Sequence, residues 1–289
     1  QTLDILDAHD PLGTHAAAVQ YHIVELSGDL RDRQQSLLSA YRDRVQWHDS
    51  LPPHIEGVVL GNEVLDAMPV QLAVRHNSIW HERGVGIHEG TLCFIDRPLY
   101  DVPTSACASL LPTLNSIPGH HDYVTELPTH GLAFITTLAE RLTKGAAFFI
   151  DYGFPAHEFY HPERHMGTLV CHHRHHMDGN PLVQVGEKDI TAHVDFTALA
   201  LAWQDWQKAG EQPTPAVERG TLGFCSQGRF LLNCGLGELL VKATPAEQSA
   251  ALKLIHEHEM GELFKVIGLY VGQAWSALGF VTGDRSHAL

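Results

Sequence analysis

Basic residues are scarce in this 289-residue chain: 19 Lys and Arg stand against 34 Asp and Glu, a formal charge of −15 with His taken as neutral. Neutralising a nucleic-acid backbone takes clustered Lys and Arg, so this balance excludes a nucleic-acid groove as the main business. It argues equally against docking on an anionic membrane surface. Long hydrophobic runs are missing too; none approaches the ~20 residues that cross a bilayer as a helix, so no membrane insertion is expected. Cysteine is sparse. The five (Cys93, Cys107, Cys171, Cys225 and Cys234) are odd in number and lack paired spacing, which favours free thiols in a reducing compartment over a disulfide framework. Neither a secretory signal nor an initiating Met opens the chain. It begins at Gln1, residues 2–9 already read as the body of a helix, and an upstream segment is expected.

What is present suits a folded domain. Hydrophobic residues make up 44% of the chain and recur throughout, as one large core or two small ones require. Short, largely apolar runs at 22–26, 45–47, 57–60, 146–150 and 263–271 read as buried strands. Helical patterns fall at 30–41, 131–142, 194–209, 230–240 and 246–259, with Ser27 and Asp29 as start signals for the first. Residues 221–224 make a further strand. Short β-like pieces over 72–95 suggest a meander, and 155–192 reads as an irregular, His-rich stretch. Alternation of strand and helix predicts an α/β fold.

Four of the strands end in polar residues: Glu25, Asp49, Asn62-Glu63 and Asp151. Ligands of open α/β sheets bind beyond the carboxyl ends of the strands, so these residues are expected to line one rim. Glu25, with Leu26 beside it, suits the ribose hydroxyls of a nucleotide-like cofactor, and Asp49 suits an adenine amine. Each acid taken singly also reads as a helix cap, the commoner use. GNEVLDAMPV (61–70) is denser. Asn62 offers a donor and an acceptor, and Glu63 and Asp66 offer acceptors, enough to hold a nucleophilic nitrogen. In DITAHVDF (189–196), Asp189 or Thr191 is expected to cap a helix, and His193 and Asp195 are candidates to face the rim pocket and orient a substrate. The tract Cys171-His172-His173-Arg174-His175-His176 invites a metal, but adjacent residues cannot all point at one ion, and no metal is expected.

IVELSGDLRDRQ (23–34), VLGNEVLDAMPV (59–70), FFIDYGF (148–154), GTLVCHHRHH (167–176), DITAHVDFTAL (189–199), SQGRFL (226–231) and MGELFKVIGL (260–269) resemble, in that order, segments of the MidA-type S-adenosylmethionine-dependent methyltransferases. The resemblance spans nearly the whole chain. It implies a class I, Rossmann-like fold: a seven-stranded, mostly parallel sheet with helices on both faces and an antiparallel strand near the edge. It also implies S-adenosylmethionine as cofactor, with Glu25, Leu26, Asp49 and Asn62 toward it. Asn62, Glu63, Asp66, His193 and Asp195 would then serve the acceptor. The strand and glycine-rich loop that open such folds are not in this sequence, so 1–289 is expected to be a single, N-terminally incomplete domain, with inserted segments near 71–125 and 155–192.

Mitochondrial members of that family are regarded as protein arginine methyltransferases that assist respiratory complex I assembly. The resemblance therefore implies a protein acceptor, a respiratory-complex subunit being one candidate, and a bacterial cytoplasmic or a mitochondrial matrix location. A planar, permanently charged guanidinium is naturally clamped by acids, here Glu63 and Asp66 with Asp189 or Asp195. The competing readings are an assembly factor that keeps the fold without transfer, and a Rossmann-like dehydrogenase, in which the NE motif has no role. Residues 72–95 and 260–269 are candidate faces for a homodimer.

Overall fold

A computed structural model describes residues 19–102, 107, 110–174, 176–206 and 218–289. The expected helix over 2–9 and the end of the one over 194–209 lie outside the described residues. The chain divides into two compact units, with the boundary between Ile55 and Glu56.

In the first unit, strand β1 (Tyr21–Val24) pairs in parallel with β2 (Val45–His48), Tyr21 opposite Val45 and Val24 opposite His48. The pairing runs on into Glu25, whose N–H donates to the His48 carbonyl at 3.1 Å. Between the strands lies helix α1 (Gly28–Leu37), started by the Ser27 hydroxyl, which accepts from the Leu30 N–H. The helix expected over 30–41 stops at Leu37, and Ser39–Tyr41 closes as a single 3₁₀ turn.

The second unit is built on a five-stranded sheet. Its centre is β8 (Leu142–Phe154), flanked by β14 (Phe264–Val271), which β13 (Arg219–Ser226) borders in turn; β3 (Ile55–Asn62) and the two-residue β12 (Val194–Asp195) also pair with β8. β14 is antiparallel to both neighbours and β12 is parallel to β8. β8, β12 and β13 therefore share one direction, and β14 is the reversed strand that the resemblance implies. Every residue of β14 is buried, so most of 260–269 is core and cannot also serve as a dimer face. Helix α3 (Thr129–Arg141) buries Ile135 and Leu138, and α5 (Phe196–Gln204) buries Phe196, Leu199 and Trp203. A Cβ at Gly153 would collide with the Val194 carbonyl, which is why β12 can lie so close to β8 there.

Two smaller sheets complete this unit. Residues 71–98 form the expected meander, with longer strands than their composition suggests: β4 (Gln71–His76), β5 (Ile79–His88) and β6 (Thr91–Pro98), joined across β4 by β7 (Tyr123–Leu127). Ala73, Trp80, Leu99, Leu114, Ile117, Tyr123 and Leu127 form its core. The stretch expected to be irregular holds an antiparallel sheet of β9 (Val170–His173), β10 (His176–Asp178) and β11 (Asp189–Thr191). His172, His173 and His176 are strand residues, and among the described residues no cluster of His, Cys, Asp and Glu could hold a metal ion. The helix expected over 230–240 is split by left-handed Gly235 (φ 91°) into Gln227–Asn233 and Leu236–Lys242. The next, Pro245–Ile255, opens with a Thr244/Glu247 capping box. No described helix is long and apolar enough to cross a membrane.

Candidate functional sites at the strand ends of each unit

The second unit concentrates its chemistry where β3 and β8 end. Gly61 is needed in β3 because a Cβ there would stand 2.6 Å from the Phe149 ring. Asn62 ends the strand, and Glu63 turns the chain with φ of 49°, a left-handed conformation that costs a non-glycine residue about 1 kcal/mol or more. The next three amides offset that cost. Val64, Leu65 and Asp66 donate their N–H groups to Oδ2 of Asp151 at 3.2, 2.9 and 3.2 Å, and Tyr152 N–H donates to Oδ1 at 2.9 Å. Successive amides curled this way form an anion-binding nest, filled here by the chain's own carboxylate. Asp151 thus sets the shape of the NEVLD turn from 85 or more residues away.

The turn presents one buried and two exposed polar side chains. Asn62 and Glu63 are exposed, and Asn62 Nδ2 donates to Glu63 Oε1 at 3.2 Å. Asp66 is buried, and its Oδ1 lacks a hydrogen-bond partner among the described residues. Burial pushes Asp66 up from the ordinary carboxylate range, with the Glu63 and Asp189 charges adding to it. Burial and the nearby Asp66 likewise push Asp151 up, to about 7. The two carboxyls titrate as a pair that holds a proton unusually tightly.

Tyr152 and His193 form an aromatic wall beside the acids. The Tyr152 ring lies 4.0 Å from Phe264 and stacks on His193 at 6.3 Å; burial and the charges of Glu63, Asp66 and Asp151 raise its hydroxyl. His193 also meets the Phe154 ring at 5.2 Å, and its buried Nδ1 has no partner among the described residues. Burial, then Arg164 and Lys265, push His193 down to about 4, so the ring is neutral at ordinary pH. The backbone fixes its place: His193 N–H donates to Thr168 Oγ1 at 3.0 Å, and the Thr168 hydroxyl donates to buried Glu126 at 3.1 Å. Asp195 is engaged elsewhere. Buried, it caps α5 by accepting from Ala198 N–H at 3.0 Å and receives the Tyr160 hydroxyl. The cap is therefore Asp195 rather than Asp189 or Thr191, which lie in β11.

In the first unit the other candidates share one small sheet. Glu25 accepts from Ser27 N–H at 2.9 Å and from Gln34 Nε2 at 3.0 Å. The Ser27 N–H does most to hold its carboxyl below the usual range, against an opposing effect of burial. Arg31 ties the two strand ends together, donating to the Glu25 carbonyl at 2.8 Å and to Asp49 Oδ1 at 2.5 Å. Leu26 is 80% exposed and the Asp49 side chain 86% exposed. Ribose hydroxyls and an adenine amine are donors, and carboxylates accept only, so this set fits a nucleoside: each Glu25 oxygen holds one donor and keeps room for another.

Asp151, expected on the rim, is instead buried and held by backbone amides, inside a strand that runs on to Phe154. Tyr152, Thr168 and Glu126 have no role in the motif reading, and Glu126 and Thr168 carry no local mark.

Residues 2–212 match the model of a family described as "putative S-adenosyl-L-methionine-dependent methyltransferase". Two relatives, each named mitochondrial protein arginine methyltransferase NDUFAF7 homolog, are 26% identical. The match covers 65% of this chain and 47% of the Caenorhabditis elegans protein, and 78% and 50% for the one from Drosophila melanogaster. The chain thus spans about half the length of these curated relatives. A Burkholderia thailandensis protein described as a "likely methyl transferase", solved bound to S-adenosyl-homocysteine, is 44% identical with a TM-score of 0.85, over 100% of this chain and 73% of that one. A native crystal structure of a superfamily protein from the same organism gives the same identity and TM-score, over 75% of its length. With a family match over well more than half its length, the chain belongs to the S-adenosyl-L-methionine-dependent methyltransferase family that its motifs resemble.

Proposed function

We propose that the protein transfers a methyl group from S-adenosylmethionine to an arginine of a protein acceptor. The carrying observation is the acid cluster at the ends of β3 and β8: exposed Glu63, and buried Asp66 with an unpartnered oxygen, on a turn held by Asp151. The names of the two mitochondrial relatives support the arginine acceptor, and the cofactor is that of the family to which the chain belongs.

When bound, S-adenosylmethionine supplies a methyl group activated on a sulfonium. Glu25 and Asp49 would hold its ribose and adenine, with Leu26 as an apolar cover. Glu63 and Asp66 would accept N–H groups of the acceptor guanidinium and so orient one nitrogen, a contribution of proximity and alignment. That nitrogen loses a proton as it gains a methyl, and a buried carboxyl pair of raised proton affinity is suited to receive it. His193 stays neutral beside the acids and does not repel the cation.

The test is transfer of labelled methyl to protein arginine by the full-length protein. A Glu63→Ala/Asp66→Ala double variant should lose transfer while still binding the cofactor; undiminished transfer would overturn the clamp.

A further inference from the structure

A cavity of about 650 Å³ lies within the second unit, among the 66–72 segment, the β5–β6 hairpin and residues 181–192. It is the size of a ligand pocket, typically ~300–1,000 Å³. One wall is a sheet face. Register places Val85 opposite Phe94, with Leu92 two residues along on the same side of the hairpin, so the three side chains share that wall. They are well exposed for apolar residues of paired strands, Val85 at 58% and Leu92 and Phe94 at 37% each. Arg83 and Asp96 continue that face, but two hydrogen bonds of 2.8 Å from Arg83 to Asp96 neutralise its charge. Met68, Leu182 and Val185 line the other side. Asp66, from the acid cluster, completes the wall, and its Oδ1 has no partner among the described residues.

An apolar trough that ends at a buried acid selects by chemistry. Its occupant must be apolar along most of its length, to gain from covering Val85 and Phe94, and must bring an N–H donor or a cation to Asp66. A fatty acid fits poorly, since its carboxylate would meet the acids of the lining, Asp66 and Glu82. We propose that this trough binds the apolar stretch of the acceptor polypeptide that adjoins the arginine to be methylated. The proposal rests on the arginine reading above and adds to it a rule of acceptor choice: apolar neighbours are preferred over polar ones.

Fluorescence anisotropy of the full-length protein with two labelled peptides tests this. Each carries one central arginine, flanked by leucine and valine in one and by serine and glycine in the other. The apolar peptide should bind at least about tenfold tighter, as burial of one or two aliphatic side chains implies. A Val85→Asp/Phe94→Asp variant should erase the preference; both residues are partly exposed, and circular dichroism with a milder Val85→Ser/Phe94→Ala variant separates misfolding from lost contact. Equal binding of the two peptides, or an unchanged preference in the folded variants, overturns the proposal. Methyl transfer is read separately on the same peptides. Preferential binding without methylarginine supports the trough and overturns the arginine reading; methylarginine without flank preference overturns the trough alone.

Discussion

Two kinds of strand end carry acids in this protein, and they are built in opposite ways. At the end of β8, Asp151 is buried, receives four backbone N–H groups and shares a raised proton affinity with Asp66. At the end of β1, Glu25 is only partly buried, holds one donor per oxygen and is shifted down, while Asp49 beside it is almost wholly open to solvent. The same sequence signature, an apolar run closing on an acid, therefore does two physical jobs. A buried acid surrounded by amides organises backbone, Oδ2 of Asp151 alone accepting three N–H groups. A partly buried acid with a single partner per oxygen keeps capacity for a ligand.

The contrast is sharpest at Asp151. Replacing it with Ala strips three turn amides of a charged acceptor, so Asp151→Ala should lose roughly 3 kcal/mol of stability, read as a urea midpoint shift. A loss below about 1 kcal/mol would mean that the nest is incidental. Next comes the double variant Glu63→Ala/Asp66→Ala, expected to lower transfer at least about 100-fold, the usual scale for proton-handling groups, with cofactor affinity unchanged by calorimetry. Glu25→Ala should do the reverse: cofactor affinity falls about tenfold or more, as loss of charge-assisted hydrogen bonds implies, while the melting temperature barely moves.

Two smaller effects refine the comparison. His193 titrates near 4 in the folded protein against an ordinary 6.5, so the unfolded chain takes up its proton first as pH falls. Its contribution to stability is full above about 6.5 and is lost as pH drops toward 4, and His193→Phe should remove that part of the pH dependence relative to wild type. Asp49→Asn breaks an exposed ion pair with Arg31, worth less than about 1 kcal/mol, and should leave the denaturation midpoint nearly unchanged.

Much of this architecture is legible in the sequence because buried strands are short apolar runs bounded by polar residues. The ends of β1, β2 and β3 follow from that pattern, and the run 263–271 reads directly as the buried β14, whereas β8 continues past Asp151 to Phe154. What escaped is long-range or conformational. Nothing local to FFIDYGF says that Asp151 will be grasped by amides of residues 64–66, because the contact is created by the pairing of β3 with β8. The split at Gly235 depends on a positive φ, which glycine permits without announcing. The 155–192 stretch looked structureless because its three strands are only three or four residues long, too short for a period to emerge. Asp195 shows the converse. Its motif makes it a candidate for the rim pocket, but the helix cap and the Tyr160 hydroxyl hold it inside the fold.

Mass spectrometry of a protein acceptor incubated with the full-length protein and S-adenosylmethionine tests the proposed activity most directly. Methylarginine should form with wild type and vanish with Glu63→Ala/Asp66→Ala, while calorimetry still records cofactor binding by both. Bound cofactor with no methylarginine from wild type, or equal methylarginine from the variant, would contradict it.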